Sequence, residues 1–580
     1  MRTLQISQTL KFVDHFTERV SDVRKYTRIT SFMVVCFISL PVFVLLFKNS
    51  KIHLFETPVD SSTKSLEENA QNISSELLEG ISQDVTPFLV GEYNNSSKPT
   101  NTSSIPINDQ QKLVDELVAS GFDKESCISR YQYSSYHKNK PYKPSPYLIT
   151  KLRSYEELHA QCGPQSSSYR RSIHKLSRSH YMNDSETTSC KYLVWTPANG
   201  LGNRMVSMAS AFLYSLLQNR VFLVEFEAEM DDLFCEPFPN STWLLPKNFP
   251  HKNHWSQLPS FKNRVNSGEG KFIPSFFHLD LQHGHGDDNL RHFHCTKILS
   301  SLEKIPVLIL LSDQYFVPSL FISSFKEELN RMFPEKDAVF HHLGHYLFNP
   351  SNEAWGLITR FYQAYLAKAD EKIGLQIRVF DHQQVPSQNI MSQILACTQN
   401  YNILPSFDDT KKSLYSPLRN STSKSKAVLV ASLYPEYAEG LRSMYWTRPT
   451  MNGDMVGVYQ PSHEELQKFG DNVHNMKAWA EIYLLSLCDV LVTSPQSTFG
   501  YVAQSLGGLK PWIMVGLGRK EFQDSPCKQG FSMEPCFHIP PQYDCEGKNK
   551  INNFTNLYAH LNTCEDVWWG VKLVEMHELN

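Results

Sequence analysis

The feature that most constrains the fold is a repeated alternation of short apolar segments with longer helical ones. Residues 192–226, YLVWTPANGLGNRMVSMASAFLYSLLQNRVFLVEF, predict a strand, a glycine turn, a helix and a second strand. The pattern recurs between residues 354 and 516, with strands such as KIGLQIRVFD and DVLVTS. Such alternation is typical of parallel sheets. A chain of 580 residues is longer than one hydrophobic core usually supports, so we expect an α/β protein with two Rossmann-like domains facing a cleft.

An uncharged run, residues 29–47, predicts a membrane-spanning helix. At about 1.5 Å per residue it spans roughly 28 Å, close to a bilayer core of about 30 Å. A cleaved signal peptide is the alternative, but the long basic lead and the lack of a small-residue cleavage site favour an uncleaved anchor. The basic residues place residues 1–28 in the cytosol. We therefore expect a single-pass type II membrane protein of the secretory pathway.

Composition divides the rest of the chain. Residues 48–108 are rich in Ser, Thr, Asn and Glu without an apolar period and predict a luminal stem. The apolar density that follows predicts an N-terminal domain at 109–355, a C-terminal domain at 356–545 and a C-terminal segment at 546–580. The net charge of −3 argues against a nucleic-acid-binding protein.

Cysteines and glycosylation sequons agree with a luminal location. Eleven of the twelve cysteines follow the predicted anchor and are scattered, which favours disulfides over zinc. The odd count leaves one thiol free, and Cys488 in an apolar helix is the candidate. We expect Cys527, Cys536, Cys545 and Cys564 to staple a poorly structured tail onto the C-terminal domain. N-x-[ST] sequons predict glycosylation at Asn72, Asn94, Asn95, Asn101, Asn183, Asn240, Asn420 and Asn553.

Ligands of parallel α/β sheets bind beyond the carboxyl ends of strands, so polar residues there are candidate site residues. The turn Gly200-Leu201-Gly202-Asn203-Arg204 follows the first strand but lacks the third glycine of a dinucleotide fingerprint. Its helix-start amides and guanidinium suit a diphosphate or a sugar hydroxyl. A plain glycine turn with Arg204 on the surface is the alternative.

Two further strand ends lie in the C-terminal half. Arg378 ends an apolar strand, where it either pairs with Asp381 or neutralises charge on a departing phosphate, and we favour the second role. Ser494, Ser497 and Thr498 lie between a strand end and a helix start. Hydroxyls there cap the helix and its amides bind anions, two roles that are compatible.

In the N-terminal half, Asp313 follows the apolar strand VLILL and is either a turn former or a group that orders an acceptor hydroxyl. We expect no metal site. No D-x-D triplet follows an apolar strand, so the chain lacks an obvious Mg²⁺ or Mn²⁺ clamp. The spacing of His283, His285, His292 and His294 matches no familiar zinc pattern.

Many segments together resemble, in order, the plant cell-wall fucosyltransferases of the xyloglucan α-1,2 type, from about residue 110 to the C-terminus. The resemblance implies a GT-B type fold and a metal-independent, inverting transfer of L-fucose from GDP-fucose in the Golgi. It also implies a galactose acceptor on a wall polysaccharide such as xyloglucan, or on an arabinogalactan glycan. The segments that carry it include GLGNRMVSMASAFLYSLL, DDLFCEPFP, DQYFVPSLF, HHLGHYLFNP, YLAKADEKIGLQIRVFD, HNMKAWAEIYLLSLCDVLVTS, STFGYVAQSLGGLKPWI and MEPCFHIPPQYDC.

The resemblance also implies roles for particular residues. Arg378 matches the arginine that holds the GDP diphosphate, and Asp313 matches an acidic residue that we expect to order the acceptor hydroxyl; we take both as catalytic. The implied donor-binding residues are Arg378, Ser497, Thr498, Phe499, Gly500, Gly200 and Gly202. The implied acceptor-binding residues are Asn203, Arg204 and Asp313. Gln314, Pro495-Gln496 and Pro197-Ala198-Asn199 depart from the family pattern and bear on acceptor preference.

Two other functions fit parts of the pattern. A luminal sulfotransferase needs a basic phosphate loop after its first strand, and TPANGLGNR lacks the required Lys-Ser/Thr. A catalytically silent, membrane-anchored glycan-binding protein of the same fold is the other alternative, against which the retained site residues argue. The oligomeric state stays open, with a homodimer among the expectations.

Overall fold

The computed structural model describes ten stretches of the chain, between residues 117 and 576. The predicted anchor at 29–47 and the stem lie outside them. No helix in these stretches is long and apolar enough to cross a membrane. The described residues are 117–119, 121–137, 142–178, 181–183, 189–261, 272–284, 287–380, 385–407, 423–517 and 525–576.

Helices and strands alternate through most of this region. The α-helices are α1 Ile128–Gln132, α2 Pro146–Cys162, α3 Ser167–Arg178, α4 Leu201–Gln218, α5 Asp287–Phe293, α6 Thr296–Lys304, α7 Val317–Leu320, α8 Lys326–Met332, α9 Val339–Leu347, α10 Asn352–Phe361, α11 Ser387–Asn400, α12 Glu436–Thr447, α13 Asn472–Ser486 and α14 Thr498–Gly507. The strands are β1 Tyr181–Asn183, β2 Tyr192–Thr196, β3 Val221–Val224, β4 Phe272–Pro274, β5 Phe276–Asp280, β6 Val307–Leu311, β7 Glu371–Ile377, β8 Ser425–Ser432, β9 Met455–Tyr459, β10 Val490–Thr493, β11 Trp512–Met514, β12 Cys527–Gln529, β13 Leu561–Thr563 and β14 Val571–Leu573.

The N-terminal half contains a parallel sheet of four strands in the order β3-β2-β6-β5. Tyr192 of β2 is in register with Val221 of β3 and with Val307 of β6. Strands β2, β3 and β6 and helix α4 agree with the predicted elements. The His-rich stretch before β6 contains two elements that the sequence pattern did not indicate, the edge strand β5 and the helix α5.

The C-terminal half contains a sheet of six strands in the order β12-β11-β10-β7-β8-β9, parallel except for β12. The predicted strands of this half are all present, with bounds that differ by a few residues at each end. Its central strands β7, β8 and β10 are almost fully buried because helices cover both faces, which explains their continuous apolar sequence.

Helix α4 is buried on nearly all sides, as expected for a helix that lies inside a layered α/β protein and is apolar all round. Its apolar residues share one core with residues of both halves, including Trp479 of α13 and Leu506 of α14. This core is shared by both halves of the described chain, while separate apolar clusters lie elsewhere on each sheet, such as the one with Ile373 and Ile394 and the one with Tyr192 and Val194. The domain bounds 109–355 and 356–545 stay a prediction; Trp355 lies inside helix α10.

The C-terminal tail corrects one expectation. It is ordered by strands β13 and β14, which pair with each other, and by a bridge from Phe537 to Val571. It is not stapled to one domain only, because Cys545 pairs with Cys295 of the N-terminal half. Cys488 is buried and free, as predicted. The disulfides of the described residues are Cys127–Cys235, Cys162–Cys190, Cys295–Cys545, Cys397–Cys527 and Cys536–Cys564.

A buried carboxyl group explains why the tail crosses between the halves. Glu534 is fully buried, and its two oxygens accept hydrogen bonds from the hydroxyl of Tyr315, at 2.6 Å, and the amide of Phe340, at 2.7 Å. Farther along, the amide of Ile539 donates to Oε1 of Gln314 at 3.0 Å. Because a buried polar group needs its partners, these bonds fix the tail against the N-terminal half.

Candidate functional site

Each sheet reverses its strand order at one point, and the predicted site residues lie at both points. In the first sheet the reversal falls between β2 and β6, whose carboxyl ends lead to Gly200 and Asp313. In the second it falls between β7 and β10, whose ends lead to Arg378 and Ser497. Crevices at such positions are where open α/β sheets bind ligands.

These ends open into one cavity of about 360 Å³. Its walls come from both halves of the chain, and its rim carries two strongly exposed rings, Phe380 and Phe469. The residues that line it include Asn199, Gly200, Gly202, Asn203, Gln376, Arg378, Ser462, Glu464, Gln467, Asn475, Glu481, Gln496, Ser497, Thr498, Phe499 and His538.

Arg378 projects into this cavity from the end of β7. Its amide donates to Oγ of Ser494 at 2.8 Å, which fixes the backbone, while Nη2 donates to Oε1 of Gln467 at 3.1 Å. The guanidinium carbon lies 5.2 Å from the ring centre of Phe380. Burial lowers the pKa of Arg378 from its ordinary value. Asp381 lies outside the described residues, so the alternative pairing with it is not tested.

The start of helix α14 lies beside Arg378. Ser497 is its N-cap residue, yet its side chain makes no capping bond and instead accepts from Nε2 of Gln376 at 3.1 Å. Gln376 also accepts from the amide of Ser494 through Oε1 at 3.1 Å. The capping role allowed for Ser497 is therefore absent. The first-turn amides of α14 are left facing the cavity without a side-chain cap, an arrangement that favours anions.

The glycine turn is a point of close contact between the two halves. A Cβ atom on Gly202 would lie 2.7 Å from the amide nitrogen of Phe499 and 2.7 Å from Oγ1 of Thr498. A Cβ atom on Gly200 would lie 2.5 Å from Nε2 of Gln467. The Phe499 amide is backbone and cannot shift aside, so a bare backbone is needed at Gly202 for the starts of α4 and α14 to meet. At Gly200 the Cβ atom would meet only the movable end of the Gln467 side chain.

Asp313 is buried behind the cavity wall. Its Oδ2 accepts from Nδ2 of Asn199 at 2.6 Å and its Oδ1 accepts from the amide of His283 at 2.8 Å. Its carbonyl accepts from Nδ2 of Asn203 at 3.1 Å. Asn199, which has the left-handed φ of 60° that asparagine tolerates, and Asn203 line the cavity in its place. Asp313 therefore positions two amides that face the cavity.

Arg204 is also placed away from the cavity lining. It is buried, not on the surface, and forms an ion pair with Glu229, while its Nε donates to the carbonyl of Asn199 at 2.8 Å. Glu229 in turn accepts from the amide of Gly470 in the opposite half. Arg204 thus holds the glycine turn and joins the halves, and direct acceptor contact stays an untested prediction.

One face of helix α13 supplies residues that the sequence patterns did not single out. Asn475 and Glu481, six positions apart, both line the cavity. Oε1 of Glu481 accepts from Oγ of Ser462 at 2.6 Å, and burial raises the pKa of Glu481 to about 8. Glu464 differs, because hydrogen bonds from Lys477, His474 and Lys468 lower its pKa to about 2.

His538 is a further cavity residue that the sequence patterns did not single out. The hydroxyl of Tyr501 donates its single proton to Oδ2 of Asp566 at 2.6 Å, and lies 3.1 Å from Nε2 of His538. Because the tyrosine proton is used, its oxygen accepts from Nε2–H, and the Nδ1 lone pair of His538 stays available. Burial lowers the pKa of His538, which favours the neutral ring.

Within the described stretches, no group of three His, Cys, Asp or Glu residues could hold a metal ion. His285 lies outside those stretches. Of the sequons, Asn240 and Asn553 are exposed, Asn183 lies at the end of β1, and the others fall on residues that are not described. Their occupancy stays a prediction.

Two parallel sheets whose reversal points share one cavity define an α/β protein with a single cleft between its halves. The chain belongs to the xyloglucan fucosyltransferase family, whose model matches residues 90–546. The family predicted from the motifs is thereby confirmed.

Individual relatives agree. The chain is 51% identical over 474 residues to a galactoside 2-alpha-L-fucosyltransferase of Arabidopsis thaliana, covering 80% of this chain and 83% of the relative. It is 48% identical to the enzyme of the same name from Pisum sativum, covering 80% and 82%. A solved structure of a mutant of Arabidopsis thaliana FUT1 in complex with GDP is 49% identical, with a TM-score of 0.73, and covers 80% of this chain and 100% of that one.

Proposed function

We propose that this protein transfers L-fucose from GDP-fucose to a galactose residue of a plant cell-wall glycan. Its membership of a fucosyltransferase family and relatives named as galactoside 2-alpha-L-fucosyltransferases support the reaction class. The complex of a FUT1 mutant with GDP supports a guanine nucleotide as donor. The acceptor glycan is a galactosylated polysaccharide such as xyloglucan, or an arabinogalactan.

The observation that carries the proposal is the position of Arg378 beside the uncapped start of α14. A diphosphate in the cavity meets a guanidinium and the first-turn amides of Thr498 and Phe499. Charge that develops on GDP as the sugar leaves is stabilised there without reorganisation. In this mechanism protein groups alone carry that charge, so the proposed transfer needs no metal ion.

We place the guanine base at the end of the cavity that Glu481 lines, away from Arg378. The carboxyl of Glu481 faces it and is hydrogen-bonded through one oxygen by Ser462. A carboxylate accepts two hydrogen bonds from the N1–H and N2–H of guanine, which adenine and uracil do not offer as a pair. Asn475 lies on the same face of α13. Glu481 is therefore the residue that we expect to select a guanine donor.

The transfer itself is an inverting displacement. The bond between the fucose anomeric carbon and the β-phosphate oxygen breaks, its electrons pass to GDP, and the acceptor hydroxyl oxygen attacks from the opposite face. His538 has a free Nδ1 lone pair at the cavity wall and takes the hydroxyl proton. Asp313 orders the acceptor through Asn199 and Asn203, which it holds in place.

The cellular setting belongs to the same proposal. The uncharged run at residues 29–47 supports a type II membrane protein anchored in the Golgi stack. The five disulfides of the described residues suit an oxidising lumen. A homodimer stays part of the proposal without a surface assigned to it.

Replacing Arg378 with Ala tests the function. In the purified full chain we expect fucose transfer to a galactosylated xyloglucan to fall by roughly 10³-fold or more, with normal expression. R442A is the matched control, since Arg442 is exposed on α12 and donates only to the carbonyl of Val458 at 3.2 Å. Near-normal turnover of R378A, or no GDP binding by the wild type in calorimetry, would contradict the proposal and favour a silent glycan-binding protein.

A further inference from the structure

Two adjacent tryptophans form the tip of a turn near the C-terminus. The amide of Gly570 donates to the carbonyl of Val567 at 2.9 Å, so Trp568 and Trp569 are the two central residues of the turn. Trp568 is 80% exposed and Trp569 is 44% exposed. Their ring centres lie 5.1 Å apart with the planes at 90°. Turn tips ordinarily carry Gly, Asn, Asp, Pro or Ser, so two tryptophans here are unusual.

The turn is held firmly at its base. Val567 is buried, and the amide of Cys564 donates to the carbonyl of Gly570 at 3.1 Å. Cys564 is joined to Cys536, whose sulfur would lie only 2.7 Å from a Cβ atom on Gly570. The indole rings are thus presented on a fixed support. A rigid, exposed aromatic surface loses little conformational entropy when it binds a ligand.

The base of the turn touches the wall of the cavity. Oδ2 of Asp566 accepts from the amide of Gln496 at 2.7 Å and from the hydroxyl of Tyr501 at 2.6 Å. Gln496 lines the cavity directly before the start of α14. Since consecutive Cα atoms are about 3.8 Å apart, the Cα of Trp568 lies within about 7.6 Å of that of Asp566. The turn that carries the exposed rings is therefore joined through Asp566 to a residue of the cavity wall.

We propose that Trp568 and Trp569 bind the sugar chain that carries the acceptor galactose, outside the cavity where that galactose reacts. The inference rests on the proposed function and deepens it. A glycan polymer is neutral and presents apolar C–H faces of its pyranose rings, which pack against indole faces, while its hydroxyls stay in water. Two rings at right angles offer contacts to successive sugars of a chain. A single small sugar would reach only the cavity.

The length of the acceptor provides the test. The full chain is assayed with a galactosylated xyloglucan polysaccharide and with a short β-galactoside disaccharide. We expect W568A and the double variant W568A/W569A to raise KM for the polysaccharide roughly tenfold or more, with kcat, the Kd for GDP and the KM for the disaccharide unchanged. W446A is the matched control, because Trp446 is 86% exposed on α12 and lines no part of the cavity.

Three results overturn the inference. Equal kinetics of W568A and W446A with the polysaccharide reject the binding surface. An equal rise in KM for both acceptors means that the turn supports the structure of the cavity and does not bind the sugar chain. A wild-type dimer that W568A dissociates in sedimentation makes the rings a contact between two copies. Polysaccharide binding can also be measured without fucose transfer, by the retardation of the protein in gels that contain the polysaccharide. Retardation of the wild type but not of W568A supports the surface even if the proposed function fails.

Discussion

Oγ1 of Thr498 donates a hydrogen bond to Oδ1 of Asn203 across 2.9 Å, and this bond joins the first turns of two helices from opposite halves of the chain. The amide group of the same Asn203 donates to the carbonyl of Asp313 at 3.1 Å. Donor-side and acceptor-side elements are therefore connected through one side chain. A ligand that orders the start of α14 also acts on the residues that the acceptor is expected to meet.

Substituting Gly202 with Ala should disrupt this contact. The new methyl group would lie 2.7 Å from the backbone amide of Phe499, which cannot move without displacing the start of α14. We expect the Kd for GDP to rise at least tenfold, measured by calorimetry. G440A is the control, because that Cβ would meet only the flexible end of Met391, and Ala stabilises a helix by about 0.5–1 kcal/mol over Gly. Equal affinities of the two variants would show that the close approach is not required.

Replacing Glu481 with Gln should weaken GDP binding and change its pH dependence. Burial raises the pKa of Glu481 to about 8, so the carboxyl is protonated at pH 6 to 7. Guanine binding in that range therefore requires the carboxyl to release its proton. Wild-type affinity for GDP should then increase with pH up to about 8 and level off above it. Titration of the nucleotide phosphate is common to both proteins, so the difference between them isolates the carboxyl. Parallel pH profiles would exclude Glu481 from base recognition.

Stability should also depend on pH through Glu534. Burial raises its pKa from the ordinary 4.5 to about 8, so between these values the native carboxyl keeps a proton that the unfolded chain releases. Its contribution is therefore fully present below pH 4.5 and is lost as pH rises to about 8, by at most about 1.4 kcal/mol per pH unit. We expect the melting temperature of the wild type to fall more steeply than that of E534Q from pH 5 to 8. Superimposable slopes would contradict this account.

Thiol titration checks the cysteine assignment. Ten of the eleven cysteines after residue 47 form disulfides and Cys488 is buried, with burial raising the pKa of its thiol. A fragment of about 109–580 should show no thiol reactive toward a disulfide reagent when native and one after denaturation. C488A should remove that one and leave activity intact. A reactive thiol in the native protein would mean that one of the bridges is absent.

Much of the architecture follows from the sequence because strands buried on both faces read as continuous apolar runs. The polar residues directly after those runs, Arg378 and Ser497 among them, were placed in the cleft by the simple rule that parallel strands end at one edge. The start of α14 and the glycine turn were predicted as separate features, and the structure brings them into contact.

The remainder of the site depends on distant contacts that no local pattern encodes. The sequence suggested that Asp313 and Arg204 reach a ligand. In the structure Asp313 instead accepts a hydrogen bond from Asn199, and Arg204 forms an ion pair with Glu229. Glu481 lies in an apolar helix, where a lone carboxyl reads as an isolated polar residue. Only the packing of α13 against the cleft brings it to the cavity wall.

The route of the tail has a consequence for how the protein can be shortened or rearranged. Cys527 is tied to Cys397 in one half, Glu534 and Cys545 are held by the other, and the chain then returns to the edge of the cavity at Asp566. Deleting the last few dozen residues would remove contacts that hold the two halves together. Circular permutation or a fusion at the C-terminus must therefore leave residues up to Leu573 undisturbed if the two lobes are to keep their separation.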